Sequence, residues 1–200
     1  MFKILFIGGL IAVLIFFIVR RLGMLGKSSR ATTYIPASDW IEIGLDNRSM
    51  RKVVKLTMTT VFIGFVLLII ILLITAKFRL ALIMLPISFY LIGQYFVLMN
   101  QLKAFRSQQI LFNPHTQDCN VRASAGDDHV FNLQSGELNV RAVNAIQKNN
   151  GILFGYYIII VSGKELVIPF VLNQNINNNP FFSKLESLSK NRVSKLFPII

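Results

Sequence analysis

Two long apolar runs with almost nothing between them constrain this chain most. Leu56 to Ala76 carries no charged residue, Leu80 to Met99 carries none either, and only Lys77, Phe78 and Arg79 separate them. A helix needs about 20 residues to cross a hydrocarbon core of ~30 Å. Both runs meet that length, and their succession predicts a transmembrane hairpin rather than two helices buried in a soluble core. A third run, Ile4 to Val19, is shorter and reaches the length when Lys3 snorkels to the interface. A secretory signal would put positive charge ahead of its apolar core and small residues after it. Here Arg20 and Arg21 follow the core and no A-x-A site appears, so the run reads as a retained anchor. The expectation is three transmembrane helices, at residues 1–21, 53–76 and 80–100, with an outer hairpin at 77–79.

Composition points the same way. The 200 residues are 54% hydrophobic and only 15% charged, whereas soluble chains carry roughly a quarter charged residues. One cysteine excludes a disulfide framework and a cysteine-based zinc site within one chain, and two histidines leave little for a metal site or a His-dependent triad. No cofactor is expected.

Orientation follows from basic residues in the short flanks. The loop over residues 22–52 and the two residues ahead of it hold Arg20, Arg21, Lys27, Arg30, Arg48, Arg51 and Lys52, opposed only by Asp39, Glu42 and Asp46. That loop is expected in the cytoplasm, the N-terminus outside and the C-terminal half inside, in a bacterial inner membrane. Lys77 and Arg79 in the outer hairpin oppose this orientation, but they are fewer and both can snorkel to phosphates.

No charged residue lies in the middle of a span, which disfavours an ion pathway or proton relay. Gly8 and Ala12, four apart, are candidates for close helix–helix contact. Pro86 and Gly93 bracket a candidate kink. Thr57, Thr59, Thr60, Ser88 and Gln94 can bond to their own backbone or to neighbours. Arg48, Arg51, Lys52 and Lys55 fall at i, i+3, i+4 and i+7, one basic stripe on a helix entering the second span, with Asp46 or Asn47 as its N-cap. These four are the candidate lipid-headgroup residues, because positive charge gains from anionic lipid there. Trp40, Ile41 and Ile43 are read as an interfacial dock.

Past residue 101 the pattern changes to short strands and turns. Strands are expected at Gln109–Phe112, Cys119–Ala123, Val130–Leu133, Leu138–Ala142, Ile152–Val161 and Glu165–Leu172. Asn149-Asn150-Gly151 is a hairpin signal, since Asn and Gly accept positive φ. A final helix follows, with Asn179 as cap, Pro180 in its first turn, and Phe181, Leu185 and Leu188 on one apolar face. Lys184, Lys190, Arg192 and Lys195 occupy its polar positions, and Phe197-Pro198-Ile199-Ile200 is an apolar tail. The fold class expected for residues 101–200 is a mainly-β module, a small antiparallel sheet or open barrel capped by a C-terminal helix.

The runs Val130-Phe131-Asn132-Leu133, Ala145-Ile146, Tyr156 to Val161, Ser162-Gly163-Lys164-Glu165 and Leu166-Val167-Ile168-Pro169 resemble bacterial membrane-anchored pleckstrin-homology-like domains, over about residues 105–192. The resemblance implies a binding or scaffolding module rather than a catalyst. The chain departs from the family in having no basic cluster in its early strand loops.

Chemistry-bearing residues are sparse. His115, Asp118 and Cys119 are the one grouping that suggests a metal or nucleophile, and His129 lies beyond a turn. Zinc needs about four ligands, which this set does not supply alone. No Walker loop or dinucleotide-binding glycine pattern is present. The net charge of +12 is explained mostly by membrane flanks, so nucleic acid is not the expected partner. Residues 191–197, Asn-Arg-Val-Ser-Lys-Leu-Phe, loosely resemble the closing run of LytTR-type DNA-binding domains but lack its His. Three functions follow in order: a non-catalytic scaffold holding membrane-complex subunits or lipid headgroups, with oligomerisation allowed; a membrane-anchored DNA-binding regulator; and a small enzyme or transporter accessory subunit.

Overall fold

The computed structural model describes residues 39–123, 128–135, 138–161 and 163–200. The first apolar run, with Gly8 and Ala12, lies outside them. Within residues 35–200, which form one compact unit, the fold mixes helices and sheets.

Helix α1 spans Asn47–Thr75. Asp46 is its N-cap, accepting hydrogen bonds from the backbone N–H groups of Arg48 (3.2 Å) and Ser49 (3.3 Å). These bonds satisfy two donors that the first turn would otherwise leave open. After the turn at residues 76–78 the chain enters a 3₁₀ segment, Arg79–Met84, and then helix α2, Leu85–Arg106. Pro86 therefore sits in the first turn of α2, where a missing N–H costs nothing, and it starts the helix instead of kinking it. Leu102 and Phe105 continue the helix past its apolar run.

Among the described residues, eight strands form two sheets. The first has the order β1-β2-β3-β4, all antiparallel, from Ile41–Glu42, Gln108–Phe112, Asp118–Ala123 and Asp128–Asn132. The second has the order β7-β6-β5-β8, from Lys164–Pro169, Gly155–Val161, Asn139–Ala145 and Ser189–Lys195. Here β5, β6 and β7 are antiparallel, but β8 runs parallel to β5.

Three expectations are corrected. There are two sheets rather than one, and one pairing is parallel. The closing helix α3 is only Asn179–Leu188, and the chain ends its regular structure in β8. Lys190, Arg192 and Lys195 are therefore strand residues. Asn179 is the first residue of α3; the position ahead of it is Asn178, whose buried side chain instead bonds Gly44 O (2.9 Å) and Leu172 O (2.7 Å). Finally, Ile41 and Glu42 pair with β2 as an edge strand, and Ile43 is buried in the module core while Ile41 stays 37% exposed, so Ile43 is not free to dock at an interface.

Register explains the core. Ile110 faces Val121 and Phe112 faces Cys119, whose other neighbour is Phe131. All five are buried, as period-2 alternation requires for one inward face. An aromatic chain links the two sheets through α3. The Phe112 and Phe181 rings lie 5.3 Å apart, Phe181 and Phe182 5.4 Å, Phe182 and Tyr157 6.2 Å, and Tyr157 and Phe170 4.6 Å. The Asn149-Asn150-Gly151 turn forms as expected. Asn149 bridges Ile152, and φ is +46° at Asn150 and +83° at Gly151, the two positive values a type I′ turn needs.

Candidate membrane interface

The two long helices pack against each other as an antiparallel hairpin. Gly64 sets how close they come: a Cβ there would lie 2.8 Å from Leu91 Cβ and 3.1 Å from the Ile92 nitrogen. Thr60 and Gly64 stand four apart, the small-xxx-small spacing that lets helices approach. That spacing was available in the sequence and was not singled out.

One end of the hairpin is sheathed by the module. Val53, Thr57, Thr60 and Val61 of α1 are buried, as are Val97, Leu98, Gln101 and Leu102 of α2. Hydrogen bonds tie the two parts. Ser49 Oγ donates to Gln174 O (3.0 Å), and Gln108 Nε2, just past α2, donates to Val167 O of β7 (2.7 Å). Asn150 Nδ2 donates to Leu56 O (3.1 Å) and Thr60 Oγ1 (2.9 Å), and Thr60 Oγ1 donates to Asn149 Oδ1. The same two asparagines that make the turn thus clamp it to α1. Sequence reasoning found the turn but not this second use, because its partner lies about 90 residues away.

The other end of the hairpin is an apolar surface facing outward. Phe62 is 68% exposed, Leu80 81% and Ile83 75%, and the intervening exposed residues include Ile70, Leu73, Phe78, Ile87 and Phe89, with Phe96 closing the band on α2. An exposed contiguous apolar surface of this extent marks a membrane or protein interface. Both helices are long and apolar enough to cross a membrane. The hydroxyls do not interrupt the band: Thr59, Thr75 and Ser88 each bond a carbonyl of their own helix. Thr57 Oγ1 and Gln94 Nε2 are buried without a hydrogen-bond partner among the described residues.

Arg48, Arg51, Lys52 and Lys55 are all exposed along the first turns of α1. The band begins only at Phe62. Lys55 stands about 10 Å below it and Arg48 about 20 Å, at the helical rise per residue. The stripe therefore runs along the helix away from the apolar surface rather than ringing it.

The His115, Asp118 and Cys119 grouping does not converge. Asp118 and Cys119 are neighbours on β3, so their side chains take opposite faces. Cys119 is fully buried, and burial pushes its thiol up to about 12. Asp118 is held below the usual carboxylate range by hydrogen bonds from Thr116 and Asn132. His115 is exposed in an Asx-turn, where Asn113 Oδ1 accepts its N–H at 2.9 Å. Among the described residues no three His, Cys, Asp or Glu side chains cluster as a metal site.

Open clefts lie on the module among the described residues. One, of about 480 Å³, lies between β3, β4 and β7 and includes His129 and Glu165. Another, of about 400 Å³, is floored by Tyr157, Phe170 and Phe182 and rimmed by Lys148, Glu186 and Arg192. Burial raises the Tyr157 phenol, with Glu186 adding to the effect and Arg192 opposing it. Arg192 pairs with Glu186 at 2.9 Å. Comparison with known proteins gives no match: no family model, no curated protein and no solved structure is similar to this chain.

Proposed function

We propose that this chain is a membrane-anchored, non-catalytic scaffold that holds protein partners at the cytoplasmic face of a bacterial inner membrane, as a subunit of an envelope or secretion assembly. The observation that carries this is the shared core. The base of the apolar hairpin is built into the β module, through Ser49, Leu56, Thr60 and Gln108, so the module stands rigidly on its anchor. A flexibly tethered enzyme does not need that arrangement, whereas a docking platform does.

In this reading residues 1–21 add a third span, and the basic residues of 20–52 keep the module inside. The module in this reading is pleckstrin-homology-like, with a helix after the last antiparallel strand. It departs from that resemblance in β8, which adds a parallel edge after that helix. The cleft floored by Tyr157, Phe170 and Phe182 is the surface offered to partners. The headgroup layer is about 5–8 Å deep on each side. The basic stripe of Arg48, Arg51, Lys52 and Lys55 lies below the apolar band, with Lys55 nearest the headgroups and able to snorkel to them.

Crosslinking in native membranes followed by purification in mild detergent tests the proposal. Recovery of a defined set of membrane-complex subunits is expected. A strictly monomeric protein with no partner and no lipid preference would reject it.

A further inference from the structure

The apolar tail is not a loose end. Phe197 packs into the notch left by Gly93 on α2, where an added Cβ would sit 2.7 Å from its ring, and stacks 5.5 Å from Tyr90. Gln101 Nε2 donates to Pro198 O (3.3 Å), Tyr156 OH donates to Ile199 O (3.2 Å), and Asn100 exchanges two hydrogen bonds with Ile200 (2.6 and 3.0 Å). Gly93 and Tyr90 lie on the tip side of Phe96, so the tail overlaps the level of the apolar band.

Its outer face is nevertheless apolar. Leu196 and Ile199 are each 52% exposed, and Ile146, whose N–H donates to Lys195 O (3.1 Å), is 60% exposed beside them. From Ile146 the chain runs through Lys148 to Asn149 and Asn150, which are bonded to α1. Tail and loop thus flank the base of the hairpin, one on each helix, with Lys148 and Lys195 among their apolar residues. Length gives the reason such surface is present. From Phe62 to Thr75 the exposed part of α1 rises only about 20 Å, against ~30 Å of hydrocarbon.

We propose that Ile146, Leu196, Phe197 and Ile199 form an amphipathic collar that enters the interfacial layer of the lipid bilayer around the hairpin base. Lys148 and Lys195 then lie at the phosphates, and the module is seated flush on the membrane instead of standing off it. The occupant is lipid because the collar continues the apolar band and because its charged neighbours are cationic. This inference rests on the hairpin being in the bilayer.

Depth-dependent quenching separates the two claims. The full chain carrying Trp40→Phe would be reconstituted, with Leu196→Trp, Ile146→Trp or Ile70→Trp added singly. The vesicles contain phosphatidylethanolamine and phosphatidylglycerol, brominated either near the glycerol end of the acyl chains or near their methyl end. All three sites accept a larger side chain because they are exposed. Expected is a loss of emission for Leu196→Trp and Ile146→Trp with the shallow label, and for Ile70→Trp with the deep one. Quenching of Ile70→Trp alone overturns the collar and leaves the membrane hairpin standing. No quenching at any site overturns both.

Discussion

Single side chains in this protein carry more than their local roles. Asp46 caps α1 from a half-buried position. Hydrogen bonds from Ser49 and from the Arg48 N–H hold its carboxyl below the ordinary range, against the raising effect of desolvation. A lowered value means the cap contributes fully above the ordinary carboxylate range and is lost as pH falls through the folded-state value. Asp46→Ala is expected to cost about 1 kcal/mol, and the difference between variant and parent in detergent melts shrinks toward acid pH. Cys119 follows the opposite logic. A thiol pushed up to about 12 has almost no thiolate at neutral pH. Maleimide labelling of the folded protein is therefore expected to be negligible and to rise only with denaturation. Rapid labelling under native conditions would contradict the packing of β3. Gln94 offers a sharper test. Its Nε2 is buried without a partner among the described residues, so replacing the side chain by an apolar one removes a desolvation cost of roughly 1–3 kcal/mol. Gln94→Leu is expected to be neutral or stabilising in a thermal melt, and a loss of stability would show that Gln94 has a partner in the working protein.

At the scale of elements, what could be seen in the sequence was whatever local pattern decides. The two charge-free runs became α1 and α2 because length and composition determine that outcome regardless of tertiary context. The Asn149-Asn150-Gly151 turn formed because few residues other than Asn and Gly accept its positive φ values. Strand β3 followed its alternation, and β2 followed its short apolar run ahead of the Asn113-Pro114 turn. Elements decided by distant partners were not legible. Ser189–Lys195 alternates poorly and is almost wholly exposed, so only pairing with β5 makes it a strand. Its lysines and arginine suit an edge that must not recruit other chains. Ile41 and Glu42 form a strand because β2 lies beside them, across the whole hairpin in sequence. The candidate site divided the same way: the apolar band was legible, and the clamps that fix the module to it were not. Two substitutions test the helix packing and those clamps. Gly64→Leu must separate α1 from α2, since even a Cβ crowds Leu91 and the Ile92 backbone. A loss of about 1–3 kcal/mol is expected from such overpacking. Asn150→Ala removes two hydrogen bonds to α1 and puts a residue less tolerant of positive φ in the turn. Hydrogen exchange is expected to quicken in residues 146–154 while the tip of the hairpin is unchanged.

For the molecule as a whole, one physical contrast organises everything described. The same two helices are buried by protein at one end and bare at the other. Bare apolar surface from Phe62 to Phe96 is tolerable only where water is absent, while the polar clamps at Thr60 and Asn150 belong where backbone and side chains can be satisfied. Flotation after alkaline washing measures this contrast directly. Membranes from cells making the full chain, and separately residues 35–200, are stripped with carbonate and spun upward through a density gradient. The hairpin alone is expected to carry both forms up with the lipid. Recovery of residues 35–200 in the unfloated soluble fraction would mean that something other than a bilayer covers the band, and would contradict the account.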